Sequence, residues 1–393
     1  MLEVSSFYYK NGKIAVIPAR GGGITALSVT FDEDPQLVAW HKAGLFLAAN
    51  LKTEAGLFKL DPATKTVSRV NLGQPIASGF SFNDNGTSVA FVGSSASAYP
   101  EVFAGTTGGA ARKVSDLGNQ VASMTLGTSE VVSWKSSDGA MIEGVLRKPA
   151  GWKPGSPAPL LVIIHGGPTG VSRPSLFGAT YVYPMESWLA KGALILEPNY
   201  RGSAGYGEAF RSLNVRNLGV GDAWDVNTGI DSLVAKGLVD QAKVGVMGWS
   251  QGGYISAFLT THDSARFKAV SVGAGISNWV TYYVSTDIHP FTRQYLKANP
   301  WDDPEIYRKT SPMTYIKGAK APTLIQHGDA DLRVPVSNAL ELYQGLRDQG
   351  VTTRLALYKG FGHGLNKPKA VRHALQENLD WFDTHLFGAT IAR

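Results

Sequence analysis

Apolar and polar positions follow two rhythms along the 393-residue chain, and the change falls near residue 123. In the first stretch short apolar runs alternate with polar neighbours and break at Gly and Asn. Phe80-Ser-Phe82 runs into Asn83-Asp-Asn-Gly86, and Thr87-Ser-Val-Ala-Phe91 returns, which is the mark of a β-hairpin. Leu37 to Trp40, the polar His41-Lys-Ala-Gly44 and Leu45 to Ala48 repeat the unit. Gly44 and Gly86 are 42 residues apart, as are Trp40 and Phe82, while Phe58 and Phe103 are 45 apart. That period suits a four-stranded propeller blade of about 40–50 residues. Residues 1–123 are therefore expected to hold about two to three blades, fewer than the roughly four a closed ring needs. Strand edges left open in this way call for a cover, so a homo-oligomer is expected.

From residue 124 to 393 strands alternate with helix-length segments, the pattern of parallel βαβ units. Strands are predicted at 131–134, 142–147, 160–165, 193–197, 244–248, 269–273, 323–327 and 355–358. Helices are predicted at 183–191, 221–235, 251–260, 337–349 and 369–387. The expected architecture is an α/β layer with a mostly parallel eight-stranded sheet. Residues 277–313, rich in aromatics, interrupt the alternation and read as an excursion over one end of the sheet.

Composition removes several classes of function. Apolar residues make up 44% and charged residues 17%, which suits a globular protein with a sizeable core. The longest strongly apolar run, Leu160 to Ile164, is far short of the ~20 residues of a membrane helix. The first ten residues carry Glu3 and no long apolar stretch, so they do not read as a secretory signal and a cytoplasmic location is expected. With no Cys, disulfides, thiolate zinc sites and thiol catalysis are excluded. The net charge of +6 is spread without a basic block, so neither nucleic acid nor a membrane is an expected partner.

Candidate chemistry begins at Gly248-Trp249-Ser250-Gln251-Gly252-Gly253, which follows an apolar strand and opens a helix. A Ser on such a turn projects its hydroxyl from the carboxyl end of the sheet. It becomes a nucleophile once an imidazole takes its proton and a carboxylate fixes the imidazole tautomer. Two later loops at strand ends supply those groups in order: His327-Gly-Asp329-Ala-Asp331-Leu-Arg333 and Gly362-His363-Gly364. Asp331 is preferred over Asp329 because it lies nearer the Arg-Val-Pro exit of its loop, and His327 reads as loop-shaping. His165-Gly166-Gly167-Pro168 ends a buried strand, and its exposed N–H groups suit an oxyanion hole shared with the Gln251 N–H. Metal, phosphate-loop and dinucleotide signatures are absent, and no cofactor is expected.

Taken together, Trp134-Lys-Ser-Ser-Asp138-Gly139, His165-Gly-Gly-Pro168, Asn199-Tyr-Arg-Gly-Ser203, Gly205-Tyr-Gly207, Gly248-Trp-Ser250-Gln-Gly-Gly253, Ser311-Pro312, His327-Gly-Asp-Ala-Asp331 and Gly362-His363-Gly364 resemble the prolyl oligopeptidase family of serine peptidases. The nearest branch is similar to acylaminoacyl peptidases and dipeptidyl-aminopeptidase-like enzymes. The resemblance implies an α/β-hydrolase fold with an N-terminal all-β partial propeller. It implies Ser250 as nucleophile, Asp331 as orienting acid, His363 as base, and the N–H groups of Gly167 and Gln251 as oxyanion donors. It further implies that Arg333 binds a substrate carbonyl on the acyl side, and that Trp279, Tyr282 and Tyr283 line an apolar substrate pocket. Family members carry a complete propeller of roughly seven blades, which this chain does not have room for.

The expected function is hydrolysis of short or N-blocked peptides through an acyl-enzyme. Two alternatives stay open: an esterase or small-amide hydrolase with the same triad, and a catalytically inactive α/β scaffold that binds partners. A general base must be neutral, so activity is expected to rise from acid toward neutral pH.

Overall fold

The hairpin rhythm of the first third becomes one continuous eight-stranded sheet in the computed structural model, which describes residues 7–178 and 182–390. A two-residue ladder, β1 (Ala15–Val16) with β2 (Thr25–Ala26), precedes it. Strands β3 (Gln36–His41), β4 (Gly44–Leu51), β5 (Glu54–Leu60) and β6 (Val67–Arg69) form an antiparallel meander. Strands β7 (Ile76–Phe82), β8 (Ser88–Ser94), β9 (Glu101–Thr106) and β10 (Ala111–Lys113) form a second. One parallel bridge, Ala55 to Ile76, joins the two meanders.

The period-2 pattern of β4 explains why both faces of this sheet are packed. Leu45, Leu47 and Ala49 point to one apolar cluster with Phe58 and Leu60, while Phe46 joins Leu57, Val89 and Phe91 on the other face. The two hairpin turns also meet each other. Ala43 N–H donates to the Asn85 carbonyl at 3.2 Å.

The second sheet runs in the order β11-β12-β14-β13-β15-β16-β17-β18. β11 (Thr128–Lys135) and β12 (Met141–Lys148) are antiparallel to their neighbours. β13 (Ala158–Ile164), β14 (Leu194–Asn199), β15 (Val239–Trp249), β16 (Ala269–Gly273), β17 (Thr323–Gly328) and β18 (Thr353–Tyr358) are parallel. Leu160, Val162 and Ile164 of β13 face one layer of the core, and Leu161 and Ile163 face the other. Burial on both sides is why these strands read as unbroken apolar runs.

Helices α1 (Met185–Ala190), α2 (Gly207–Arg211), α3 (Gly221–Ala235), α4 (Gln251–His262), α8 (Ser337–Asp348) and α9 (Pro368–His385) flank or border this sheet. Between β16 and β17 the chain makes α5 (Trp279–Ser285), α6 (His289–Leu296) and α7 (Pro304–Thr310), the aromatic excursion of the sequence. The first helix starts two residues later than predicted, with Pro184 in the non-helical position that precedes it. Among the described residues no helix is long and apolar enough to cross a membrane.

The meanders dock on the carboxyl end of the second sheet. Lys52 N–H donates to the Gly205 carbonyl at 2.6 Å, Lys52 Nζ pairs with Glu143 at 2.8 Å, and Arg211 pairs with Asp34 at 2.7 Å. A Cβ on Gly205 would lie 2.9 Å from the Lys52 backbone nitrogen and oxygen, so the Gly205-Tyr-Gly207 motif is the seat of this contact.

Candidate active site

The nucleophile turn is forced by close backbone packing. Ser250 sits between β15 and α4 with φ 62° and ψ −120°, a conformation that costs a non-glycine residue about 1–3 kcal/mol. A Cβ on Gly248 would lie 2.4 Å from the Gly252 carbonyl carbon, and one on Gly252 would lie 2.0 Å from the Ile164 carbonyl oxygen. Only glycine at both positions lets strand, turn and helix cross so tightly. The Ser250 hydroxyl is thereby held up, half-buried, at the carboxyl end of the sheet.

Three strand ends converge there. His363 Nε2 lies 2.8 Å from Ser250 Oγ, and His363 Nδ1 lies 2.8 Å from Asp331 Oδ2. Asp331 is fully buried, and its other oxygen accepts from the Arg333 N–H at 2.8 Å and the Val334 N–H at 3.0 Å. Three contacts thus engage both oxygens of the carboxylate, and an Nδ1–H tautomer held by Asp331 leaves Nε2 facing the Ser250 hydroxyl as an acceptor. His363 keeps 31% of its side chain exposed, so the imidazole is reachable from outside.

Both neighbours weighed for the same loops have structural tasks. Asp329 accepts from the Gly360 N–H at 2.6 Å and ties the acid loop to the His363 loop. His327 is buried and places Nε2 2.7 Å from the Val334 carbonyl, which closes the turn around Asp331. Burial holds its imidazole below the usual histidine range, which favours the neutral ring.

The oxyanion side is built on His165. Its Nδ1 lies 2.9 Å from the Gly166 carbonyl, its Nε2 lies 3.0 Å from Ser203 Oγ, and its ring stacks on Tyr200 at 4.5 Å. Tyr200 in turn donates to the His165 carbonyl at 3.0 Å. Burial pulls the His165 pKa down to about 4, so a neutral ring braces the turn. A Cβ on Gly166 would be 3.3 Å from the Ser250 Cβ, which places the His165-Gly-Gly-Pro turn directly against the nucleophile. Gln251 opens α4, where an N–H has no intrahelical acceptor. Gly167 has φ 129°, and among the described residues its N–H donates to no loop acceptor.

The remaining predicted residues divide. Arg333 is half-exposed and its guanidinium is held by Asp287, with Nε 2.8 Å from Oδ1 and Nη2 3.3 Å from Oδ2, which leaves Nη1 without a described acceptor. Trp279 and Tyr282 are corrected to core residues. The Trp279 indole donates to the Thr310 carbonyl at 3.1 Å and packs against Tyr254 and Phe291, and Tyr282 is equally buried, so neither offers a wall to a ligand. Tyr283 stays partly exposed, with its ring edge-on to His289 and Tyr307.

Two residues that sequence reasoning passed over support the site. Trp249 Nε1 donates to the His363 carbonyl at 2.8 Å, across 114 positions of chain. Arg201 is fully buried and joins Asp225, Asp138 and Ser136, which makes the Trp134–Gly139 and Asn199–Ser203 motifs one ion-paired brace behind the oxyanion turn. No pattern in the primary structure marks the first contact, whereas the second was visible as two motifs without a role.

Comparison with known proteins places this arrangement. Residues 181–388, just over half of the chain, match the model of the prolyl oligopeptidase family. The chain is 31% identical over 267 residues to the uncharacterized peptidase YuxL of Bacillus subtilis, covering 67% of this chain and 40% of that protein. It is 32% identical over 245 residues to acylamino-acid-releasing enzyme 1 of Oryza sativa, covering 60% of this chain and 31% of that one. The chain therefore spans less than half the length of these relatives. The crystal structure of Pyrococcus horikoshii acylaminoacyl peptidase superposes with a TM-score of 0.85 at 26% identity, over 99% of this chain and 61% of that one. The family match, the superposition and the convergence of the three loops agree, and the chain belongs to the prolyl oligopeptidase family.

Proposed function

We propose that the protein is a serine peptidase that hydrolyses short or N-blocked peptides through an acyl-enzyme. The observation that carries this reading is the unbroken chain of two 2.8 Å contacts from Ser250 through His363 to Asp331. Relatives named for releasing acylamino acids support the choice of an N-acylated substrate.

Ser250 Oγ attacks the scissile carbonyl carbon while its proton passes to His363 Nε2. The carbonyl oxygen, now anionic, accepts from the N–H groups of Gly167 and Gln251, each worth roughly 3 kcal/mol in the transition state. The C–N bond then breaks, His363 returns the proton to the departing amine, and the acyl group stays on Ser250. Water adds by the same route with His363 again as base, which releases the acid and restores the serine. Asp331 holds the imidazole throughout, and Arg333, steadied by Asp287, receives a carbonyl of the acyl portion.

A fluorophosphonate probe tests the reading. Labelling is expected in the parent protein and in Ser277→Ala, and it is expected to vanish in Ser250→Ala. On an N-acylated amino-acid anilide, Ser250→Ala and His363→Ala are expected to lower kcat by at least ~10⁴. Failure of the folded protein to label returns the inactive-scaffold reading. Turnover of aryl esters with none of anilides selects the esterase.

A further inference from the structure

Arginines crowd the carboxyl end of the second sheet, and nearly all of them are neutralised. Arg147 pairs with Glu197, Arg201 with Asp225 and Asp138, Arg211 with Asp34, Arg216 with Asp303, and Arg333 with Asp287. Arg173 differs. It is half-buried, it donates to the neutral Asn50 side chain, and among the described residues it has no carboxylate partner. Its Nε is sealed from solvent without an acceptor. Burial keeps its pKa below the usual guanidinium range, which is the expected sign of a cation whose lost hydration is only partly replaced.

This cation stands between two cavities where the meanders meet the catalytic layer. One, of about 440 Å³, is lined by Asn50, Ser78, Phe80 and Arg173, with Asp34 on its wall already engaged by Arg211. The other, of about 240 Å³, is lined by Arg173, His165 and the neutralised Arg147–Glu197 pair. The first alone is in the range of about 300–1,000 Å³ found for small-molecule sites. His165 connects the second to the reaction centre, since the next residue, Gly166, packs on Ser250.

Sheet order gives the direction. Ser250 follows β15; β16 and β17, the latter followed by Asp331 and Arg333, lie on one side of β15, and β13 and β14 lie on the other. Arg173 follows β13, and its neighbour Ser172 is bonded through both N–H and C=O to Asn199 at the end of β14. A peptide laid across the nucleophile thus meets a neutralised arginine on one side and an unneutralised one on the other.

We infer that Arg173 is a carboxylate-binding residue for the leaving portion of the substrate, so that the enzyme favours short peptides whose anionic group lies just beyond the scissile bond. The covalent order of a peptide puts its free C-terminus on that side, and an Asp or Glu side chain there carries the same group. The assignment rests on the peptidase reading above, and deepens it. Arg173 would meet the carboxylate through a charge-assisted bond while Asn50 keeps the guanidinium in place.

The test compares three N-acylated tripeptides: one ending in a free acid, the same peptide as its amide, and an amide with Glu beyond the scissile bond. In the parent protein kcat/KM for the acid, the Glu amide, or both, is expected to exceed that of the plain amide by about tenfold or more. Arg173→Gln is expected to abolish that preference and Arg173→Lys to retain part of it. Both variants should turn over an N-acylated amino-acid anilide, which has no carboxylate there, at the parental rate. Equal rates for all three peptides in the parent, or a preference that survives Arg173→Gln, overturns the assignment. Calorimetric binding of the same peptides to Ser250→Ala separates this failure from failure of the peptidase reading. Carboxylate-dependent binding lost in Ser250→Ala/Arg173→Gln supports the site even without turnover, and its absence removes the site.

Discussion

A single residue records how this fold handles charge without water. Asp222, in the first turn of α3, is fully buried, and its carboxylate has no cationic or side-chain hydrogen-bond donor in contact among the described residues, only the backbone N–H groups of Gly219 and Ala223 nearby. Burial pushes its pKa up to about 7, the charge of Asp225 adds to the rise, and the Gly219 N–H opposes it. The folded value exceeds the unfolded one, which is near 4. The stabilisation from holding a neutral acid is therefore complete below about pH 4 and is lost as pH climbs through about 7. Asp222→Asn, with the same shape and no charge, is expected to gain on the parent protein as pH rises from 5 to 8. Thermal midpoints of the pair at both pH values check this, and a constant difference contradicts it. His165 runs the other way: its depressed value stabilises the fold above about pH 6.5, and that contribution fades as pH falls toward 4.

At the scale of elements, the acid loop after β17 separates chemistry from support over three positions. The Asp331 carboxylate touches His363, whereas among the described residues the Asp329 carboxylate accepts from the Gly360 N–H and its own N–H donates to the Tyr358 carbonyl. Asp331→Ala is expected to lower kcat by about 10⁴ with little change in KM, because the tautomer and orientation of His363 are lost. Asp329→Ala is expected to lower the melting temperature and to cost kcat far less. Steady-state kinetics of the two variants, with melting curves beside them, decide the matter, and equal kcat losses contradict the division. The same loop shows what a sequence can carry. Strands such as β13 and β15 were legible because burial on both faces writes an unbroken apolar run, and the Ser250 turn was legible because its glycines have no substitute. Choosing between Asp329 and Asp331 rested only on loop position, since both are acids at a strand end. The aromatic pocket misread Trp279 and Tyr282, because aromatic spacing is the same for a core and for a cleft. Trp249 and Arg173 were silent, since their partners His363 and Asn50 lie 114 and 123 positions away.

For the whole molecule, the question is what covers the open edges of the first sheet. Among the described residues β3 is bonded to β4 on one side only, and β10 ends the other side. On β3, Leu37 and Trp40 are 53% and 63% exposed, so the edge offers apolar side chains beside unpaired backbone groups. Such an edge, whose strand carries no Lys, Arg, Asp or Glu and shifts register against β4 between Leu37 and Ala39, pairs with another strand when one is within reach. A second copy of the chain supplies an identical edge, and two-fold pairing of β3 with β3 would bury both tryptophans and both rows of free N–H and C=O groups. We propose that the chain self-associates in this way. Sedimentation at micromolar concentration is expected to give a dimer or larger species. Trp40→Lys, which puts a charge on the edge and leaves the Ser250 site untouched, is expected to shift it to monomer without loss of anilide turnover. A monomer at every concentration tested, or an oligomer indifferent to Trp40→Lys, assigns the edge no such role.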